Sequence, residues 1–137
     1  MTLPTLPKVL NKREANWTTT VFRKWLVENY QTLGGSAFEV KHTRGKEYLA
    51  FSEVKASQVA KMLKIRHEKY VWKNPDHGEE TPPDIFFFNQ APVYVVIRYP
   101  RGVSIIPIDV FVLESKRSKR RSLTYARAVE LSTIDFK

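Results

Sequence analysis

The sequence predicts one α/β domain over residues 1–137, with a mixed central sheet flanked by helices. Helical patterns and β-prone runs alternate along the chain, which is typical of this class. The run Val93 to Tyr99 is apolar almost throughout, so we expect it to be a central strand. Hydrophobic residues make up 42% of the chain, which is enough for one core. A length of 137 residues is too short for two domains.

Prolines, glycines and short polar stretches separate the expected elements. After an extended lead-in at 1–10 these are a helix at about 12–31, strands at 37–43 and 48–51, a helix at 53–66, short strands at 70–73 and 85–88, a strand at 93–99, one or two strands over 103–113, a basic loop at 115–122 and a helix at 124–131. The basic turn Arg44-Gly45-Lys46 predicts that the strands at 37–43 and 48–51 form a hairpin. Ser52 is expected to cap the second helix, and Pro107 to mark a sheet edge or bulge.

Composition narrows the classes of function. The net charge of +9 comes from 23 Lys+Arg against 14 Asp+Glu and favours an anionic partner, nucleic acid first and an acidic membrane surface second. The absence of cysteine excludes disulfides, thiolate zinc sites and a cysteine nucleophile, and it fits a reducing compartment. No apolar run approaches a membrane span of about 20 residues, and we recognise no secretion signal. We therefore expect a cytoplasmic protein that does not enter the membrane.

The pattern Glu39-x-Lys41 is the first candidate for chemistry. Successive side chains of a strand point to opposite faces, so Glu39 and Lys41 share one face with Thr43. A carboxylate can hold a divalent ion, and a neighbouring lysine can orient water and balance phosphate charge. The same spacing also arises as an ion pair on a solvated strand.

Other candidates come from the flanking elements. Glu14 heads the core-facing stripe of the first helix, where it is either a capping residue or a group held towards a site. Gln58 lies near the apolar stripe of the second helix, where glutamine is commonly a hydrogen-bonded residue at the core edge. Asp84 directly precedes a β-prone run, and Asp76 is its rival in the acidic loop at 74–83. His77, in the same loop, is a weaker candidate ligand.

Taken together, the strand Phe38 to Thr43, the following Gln58 and the pair Pro83-Asp84 resemble the PD-(D/E)XK nuclease superfamily. Within it, they resemble RecU-like and phage-type Holliday-junction resolvases. The resemblance implies a restriction-endonuclease-like fold. In the usual arrangement the Pro-Asp pair precedes the Glu-x-Lys strand, whereas here it follows the second helix, which implies a rearranged strand order.

The resemblance also implies a metal-dependent endonuclease that hydrolyses phosphodiester bonds in branched DNA. Glu39 and Asp84 would hold one or two Mg²⁺ or Mn²⁺ ions with the main-chain carbonyl of Val40, and Glu14 would complete the site directly or through water. Lys41 would position the attacking water.

Gln58 would hold Lys41 or the phosphate. A homodimer is expected because a four-way junction is cut on two equivalent strands.

Basic residues outside this site are expected to contact phosphates, although charged runs are also common on solvated surfaces. They are Arg44, Lys46, Lys116, Arg117, Lys119, Arg120 and Arg121. Two other functions stay open at this point. One is a nucleic-acid-binding protein without catalysis, and the other is a nuclease of the same fold that acts on duplex ends, flaps or RNA.

Overall fold

A computed structural model describes residues 12–69 and 90–137, and only the backbone of two short strands between them. Asp76, His77, Asp84 and the lead-in at 1–10 lie outside the described residues. The elements in chain order are α1 (residues 12–33), β1 (Ala37–His42), β2 (Tyr48–Ala50), α2 (Ala56–His67), β3 (Val71–Lys73), β4 (Phe86–Phe88), β5 (Val93–Tyr99), β6 (Gly102–Pro107), α3 (Ile108–Arg117), β7 (Ser122–Thr124) and α4 (Tyr125–Leu131).

A mixed three-stranded sheet forms the centre of the fold, in the order β1-β5-β6. β1 runs parallel to β5, with Glu39 opposite Val95 and Lys41 opposite Ile97. β6 runs antiparallel to β5. The predicted α/β class is therefore confirmed, as are the bounds and the central position of the strand at 93–99.

Each face of this sheet packs into its own core, because side chains alternate along the strands. Residues Val93, Val95 and Ile97 of β5 pack towards α2 and α3. The neighbouring Val96 packs towards α1. Phe22 on α1 contacts Phe38 on β1 edge-to-face, with ring centroids 5.6 Å apart. The faces of β1 are thus fixed: Phe38 and Val40 face α1, whereas Glu39 and Lys41 face the α2 side.

The first helix contains a π-helical segment, Trp17–Phe22, before it continues as α-helix at Arg23–Glu28 and, after a turn at Asn29, at Tyr30–Leu33. Three consecutive threonines lie in this segment. Thr18 and Thr19 donate their hydroxyls to the carbonyls of Glu14 and Ala15, at 2.9 and 2.8 Å, and Thr20 donates to that of Asn16. Such back-bonding competes with the regular helical bonds and loosens the turn. π-Helical turns occur frequently at functional sites.

The predicted hairpin between β1 and β2 is wrong. β1 pairs along its six residues with β5, and β2 pairs antiparallel with β7. The turn itself forms, since Lys46 N–H donates to the Thr43 carbonyl at 3.2 Å. The strands separate after it because Leu49, which is buried, packs in the core beside Leu123 of β7.

The predicted strand at 109–113 is also wrong, because these residues belong to α3. Its β-branched and aromatic residues favour a strand locally, yet Ile108 and Phe111 recur at helical spacing and are both buried. Pro107 ends β6, an edge strand of the described sheet, and stands at the N-cap of α3. The basic loop is shorter than predicted: residues 115–117 lie in α3 and Ser122 in β7, which leaves 118–121.

The second helix begins later than predicted. Residues Phe51–Glu53 form one 3₁₀ turn, and the N-cap is Lys55 instead of Ser52. Val54, between the two helical segments, is buried in the core. Its backbone is extended, with φ −91° and ψ 101°, so the chain leaves the helical path there. None of the helices in the described ranges is long and apolar enough to cross a membrane.

Candidate active site

The structure brings together three of the residues predicted for the site: Glu39, Lys41 and Gln58. The Lys41 ammonium lies 3.6 Å from Oε1 of Glu39. Gln58, which α2 places over β1, donates from Nε2 to the same Oε1 at 3.1 Å. The side chains of Lys41 and Glu39 are 19% and 33% exposed, so water is partly but not fully excluded. A carboxylate, an ammonium and an amide therefore converge on one side of β1.

Gln58 has a second role that fixes its orientation. Its Oε1 accepts a hydrogen bond from the main-chain N–H of Lys55 at 3.1 Å. This N–H is one of the donors that the start of a helix leaves without a partner. With the oxygen engaged at the helix start, the amide nitrogen must point to Glu39. The helix terminus therefore orients the carboxylate through one side chain.

We expect Gln58→Ala to lower the free energy of unfolding by about 1 kcal/mol, since it removes the bond to the helix start and the bond to Glu39. Urea denaturation measures the change. Gln31→Ala is the matched control, because Gln31 is exposed in the last turn of α1 and should shift the free energy by less than about 0.5 kcal/mol. Equal effects of the two substitutions would contradict the bridging role.

The main-chain carbonyl of Val40 points to the outer edge of β1. The N–H groups of Ala37 and Thr43 donate to carbonyls of the β5 segment at 2.9 and 3.1 Å. Main-chain groups alternate in direction along a strand, so the odd-numbered residues pair with β5 and Val40 faces away from it. Within the described part of the chain, no strand pairs with that edge.

These donors fit a hard divalent cation in kind. A carboxylate and a carbonyl oxygen are the ligands that Mg²⁺ and Mn²⁺ prefer. Residues 12–69 and 90–137 hold no group of three His, Asp or Glu side chains that is arranged as a metal site. Asp84 and Asp76, the predicted further ligands, lie outside the described residues.

A cleft of about 260 Å³ opens beside Glu39, between β1 and α2. Gln58 and the exposed Lys61 line it, with apolar walls from Met62, Ile65 and Val93. Sequence reasoning missed Lys61, although Gln58 and Lys61 stand three residues apart and therefore share one side of a helix. Lys61 thus adds a second lysine to the lining of the cleft that contains Glu39.

Glu14 lies elsewhere in the structure. Its Oε1 accepts a hydrogen bond from Nε of Arg44 at 2.8 Å, and it lines a cleft with His42. That cleft is on the α1 side of β1, whereas Glu39 faces the α2 side. Glu14 was predicted to join Glu39 in one site. The contacts of the described residues instead place Glu14 with the turn after β1.

His42 is half-buried on this α1 side. Its ring meets Trp17 edge-on, with centroids 5.5 Å apart, and Nε2 lies 3.4 Å from the Thr18 hydroxyl. Burial lowers the pKa of His42 below 6.5; the charges of Arg98 and Arg44 act in the same direction, and Glu14 opposes them. Burial therefore favours the neutral form of the imidazole.

The predicted phosphate-contacting residues are at the surface. Lys116 and Arg117 form the last turn of α3, where positive charge suits the helix dipole. Lys119, Arg120 and Arg121 lie in the loop before β7, and all five of these residues are at least partly exposed.

Arg44 is engaged with Glu14, and the Lys46 ammonium lies 5.7 Å from the centre of the Tyr48 ring.

Comparisons of the chain with protein-family models, with curated proteins and with solved structures find no match.

Proposed function

We propose that the protein is a metal-dependent endonuclease that cuts branched DNA, in the manner of a Holliday-junction resolvase. One observation carries the proposal. Glu39, Lys41 and Gln58 converge on one side of a parallel strand, with the Gln58 amide bonded to Glu39 and the Lys41 ammonium 3.6 Å from it. The net charge of +9 supports a polyanionic substrate.

The chain's own groups have distinct tasks in this proposal. Gln58 holds the Glu39 carboxylate in one orientation, and the carbonyl of Val40 presents a second oxygen at the edge of β1. The Lys41 ammonium attracts a phosphate oxygen and orients the attacking water by hydrogen bonding. A bound Mg²⁺ or Mn²⁺ would supply an acidified water and polarise the phosphate. The role of Asp84 as a further ligand stays a prediction.

A substrate panel tests the proposal. We would compare an end-labelled four-way junction, a linear duplex of the same sequence, a flap and an RNA duplex, each with Mg²⁺ or EDTA. The expected result is metal-dependent, paired nicks at the junction and slower cutting elsewhere. Equal cutting of all four would keep the nuclease and remove the junction preference. No cutting of any substrate would contradict the proposal.

The exposed basic residues are proposed to bind the DNA backbone, and a homodimer would present them to two equivalent strands. Replacing Lys119, Arg120 and Arg121 together by Gln should make the negative slope of log affinity against log salt shallower by up to about 2.7, roughly 0.9 for each phosphate that the variant no longer neutralises. Fluorescence anisotropy of a labelled junction, without metal, measures the slope.

The control for that experiment removes the same amount of charge from α1. Its three substitutions to Gln fall on the exposed Lys12, Arg23 and Lys24. We expect this control to keep the slope of the unmodified protein. If the slope becomes equally shallow in both triple variants, the loop at 118–121 does not bind the backbone specifically.

A second candidate is a nucleic-acid-binding protein without catalysis. The run of basic residues at the end of α3 and in the loop at 118–121 favours it, because this run lies on different elements from Glu39 and Lys41. The substrate panel separates the two candidates. The second one binds a junction tightly and in a salt-dependent manner but leaves it uncut with Mg²⁺.

A further inference from the structure

The cleft that Glu14 and His42 line has a volume of about 280 Å³ and lies at the carboxyl ends of the parallel strands β1 and β5. Its walls come from the start of α1, the turn after β1 and the turn after β5. The charged and titratable residues that line it include Arg13, Glu14, His42, Arg44 and Arg98. In α/β sheets, ligands bind outside the carboxyl ends of parallel strands, so this is a place where the topology favours a site.

The charge of this cleft suits an anion. Three arginines line it, against one carboxylate, that of Glu14. Two of the three are held in place: Arg44 by its bond to Glu14 at 2.8 Å, and Arg98 by stacking over the Trp17 ring at 4.9 Å. A guanidinium group that is already oriented loses little freedom when it binds, and its planar fork matches the oxygens of a phosphate.

The turn that carries Arg44 has an uncommon backbone. Arg44 and Gly45 have φ values of 55° and 88°, and the Lys46 N–H to Thr43 carbonyl bond closes the turn. The left-handed region is easy for glycine but unfavourable for arginine. Backbone strain of this kind is concentrated at ligand-binding sites. Here it aims the Arg44 side chain back across the end of β1 to Glu14.

We propose that this cleft binds a phosphate group of a nucleic-acid strand through Arg13, Arg44 and Arg98. The His42 ring forms one wall and adds a polar nitrogen. This binding requires neither metal nor cleavage at Glu39, so the proposal stands or falls separately from the nuclease activity. The phosphate is either an internal diester of the backbone or a terminal monoester, and inorganic phosphate presents the same chemistry.

Nuclear magnetic resonance in EDTA tests the proposal with three probes: inorganic phosphate, a thymidine dinucleotide with a 5′-phosphate, and the same dinucleotide without it. We expect saturable shifts of the Gly45 and Arg98 amides and of the Trp17 indole N–H. Arg98→Gln and, separately, Arg13→Gln should raise the Kd about tenfold or more, the effect of losing one charge-assisted hydrogen bond. Arg23→Gln, an exposed arginine elsewhere on α1, should leave the Kd unchanged.

The probes identify the source of the phosphate. Equal binding of both dinucleotides assigns the cleft to a backbone diester, and binding only of the 5′-phosphorylated one assigns it to a strand end. Circular dichroism checks that the variants fold. The proposal is overturned if no probe shifts the cleft signals, or if folded Arg98→Gln and Arg13→Gln both bind as tightly as Arg23→Gln.

Discussion

Replacement of Lys41 by methionine is expected to lower the single-turnover rate of junction cleavage by about 10²–10³-fold, the usual cost of removing one electrostatic group from a phosphoryl or acyl transfer site. The Lys41 ammonium is 3.6 Å from Glu39, and its side chain is only 19% exposed. It therefore acts where water screens charge weakly. Methionine keeps an apolar stem of similar length, so the packing beside β1 should survive.

Lys24→Met is the control for this result. Lys24 is an exposed lysine on α1. The substitution therefore removes one positive charge, as Lys41→Met does, but at a position that is not beside Glu39. We expect its cleavage rate to stay within about threefold of the unmodified protein, a change of less than about 1 kcal/mol in the barrier. Junction binding without metal, measured by anisotropy, should be similar for both variants. A Lys41→Met protein that cleaves like Lys24→Met would remove Lys41 from the site.

Phe111→Ala is expected to destabilise the protein by about 3–5 kcal/mol, whereas Leu113→Ala should change the free energy of unfolding by less than about 0.5 kcal/mol. Phe111 is 2% exposed and packs edge-to-face on Phe51, while Leu113 is 51% exposed. Urea denaturation measures both. Phe111→Leu, a milder change, gives a second value if Phe111→Ala does not fold.

This pair of variants also tests the helix over the predicted strand at 109–113. On a strand, residues two apart share a face, so Phe111 and Leu113 would be buried or exposed together. On α3 they point in directions about 200° apart. Similar destabilisation by both alanine substitutions would contradict the helix, and a large difference would support it.

The local sequence pattern was sufficient to predict the bounds of some helices and strands, but not the pairing of β1 or the helical state of α3. The strand at 93–99 and the last helix carry strong, uniform patterns, and both have nearly the predicted bounds. Pairing partners are set by residues far apart in the chain, and a basic turn alone does not determine them. β1 therefore pairs with β5 instead of with β2. At α3 the burial of Ile108 and Phe111 outweighs the β-propensity of the segment.

The same distinction applies to the candidate site. The period of a strand predicts that Glu39 and Lys41 share a face, and their contact follows from it. The position of Glu14 could not be predicted in the same way, because it depends on which face of the sheet α1 covers. Phe22 packs on Phe38, so α1 lies on the face opposite Glu39. The place of Arg98 beside His42 was not predictable, since it depends on the parallel register of strands more than about 50 residues apart.

The most direct measurement is the single-turnover cleavage of a labelled four-way junction in Mg²⁺ by the unmodified protein and by Glu39→Gln. The substitution keeps the shape of the side chain and an oxygen for Gln58, but it removes the negative charge that a divalent ion needs. The nuclease account predicts paired nicks by the unmodified protein and a loss of about 10²-fold or more in Glu39→Gln, with junction binding in EDTA retained. Cleavage by Glu39→Gln at the unmodified rate would contradict it.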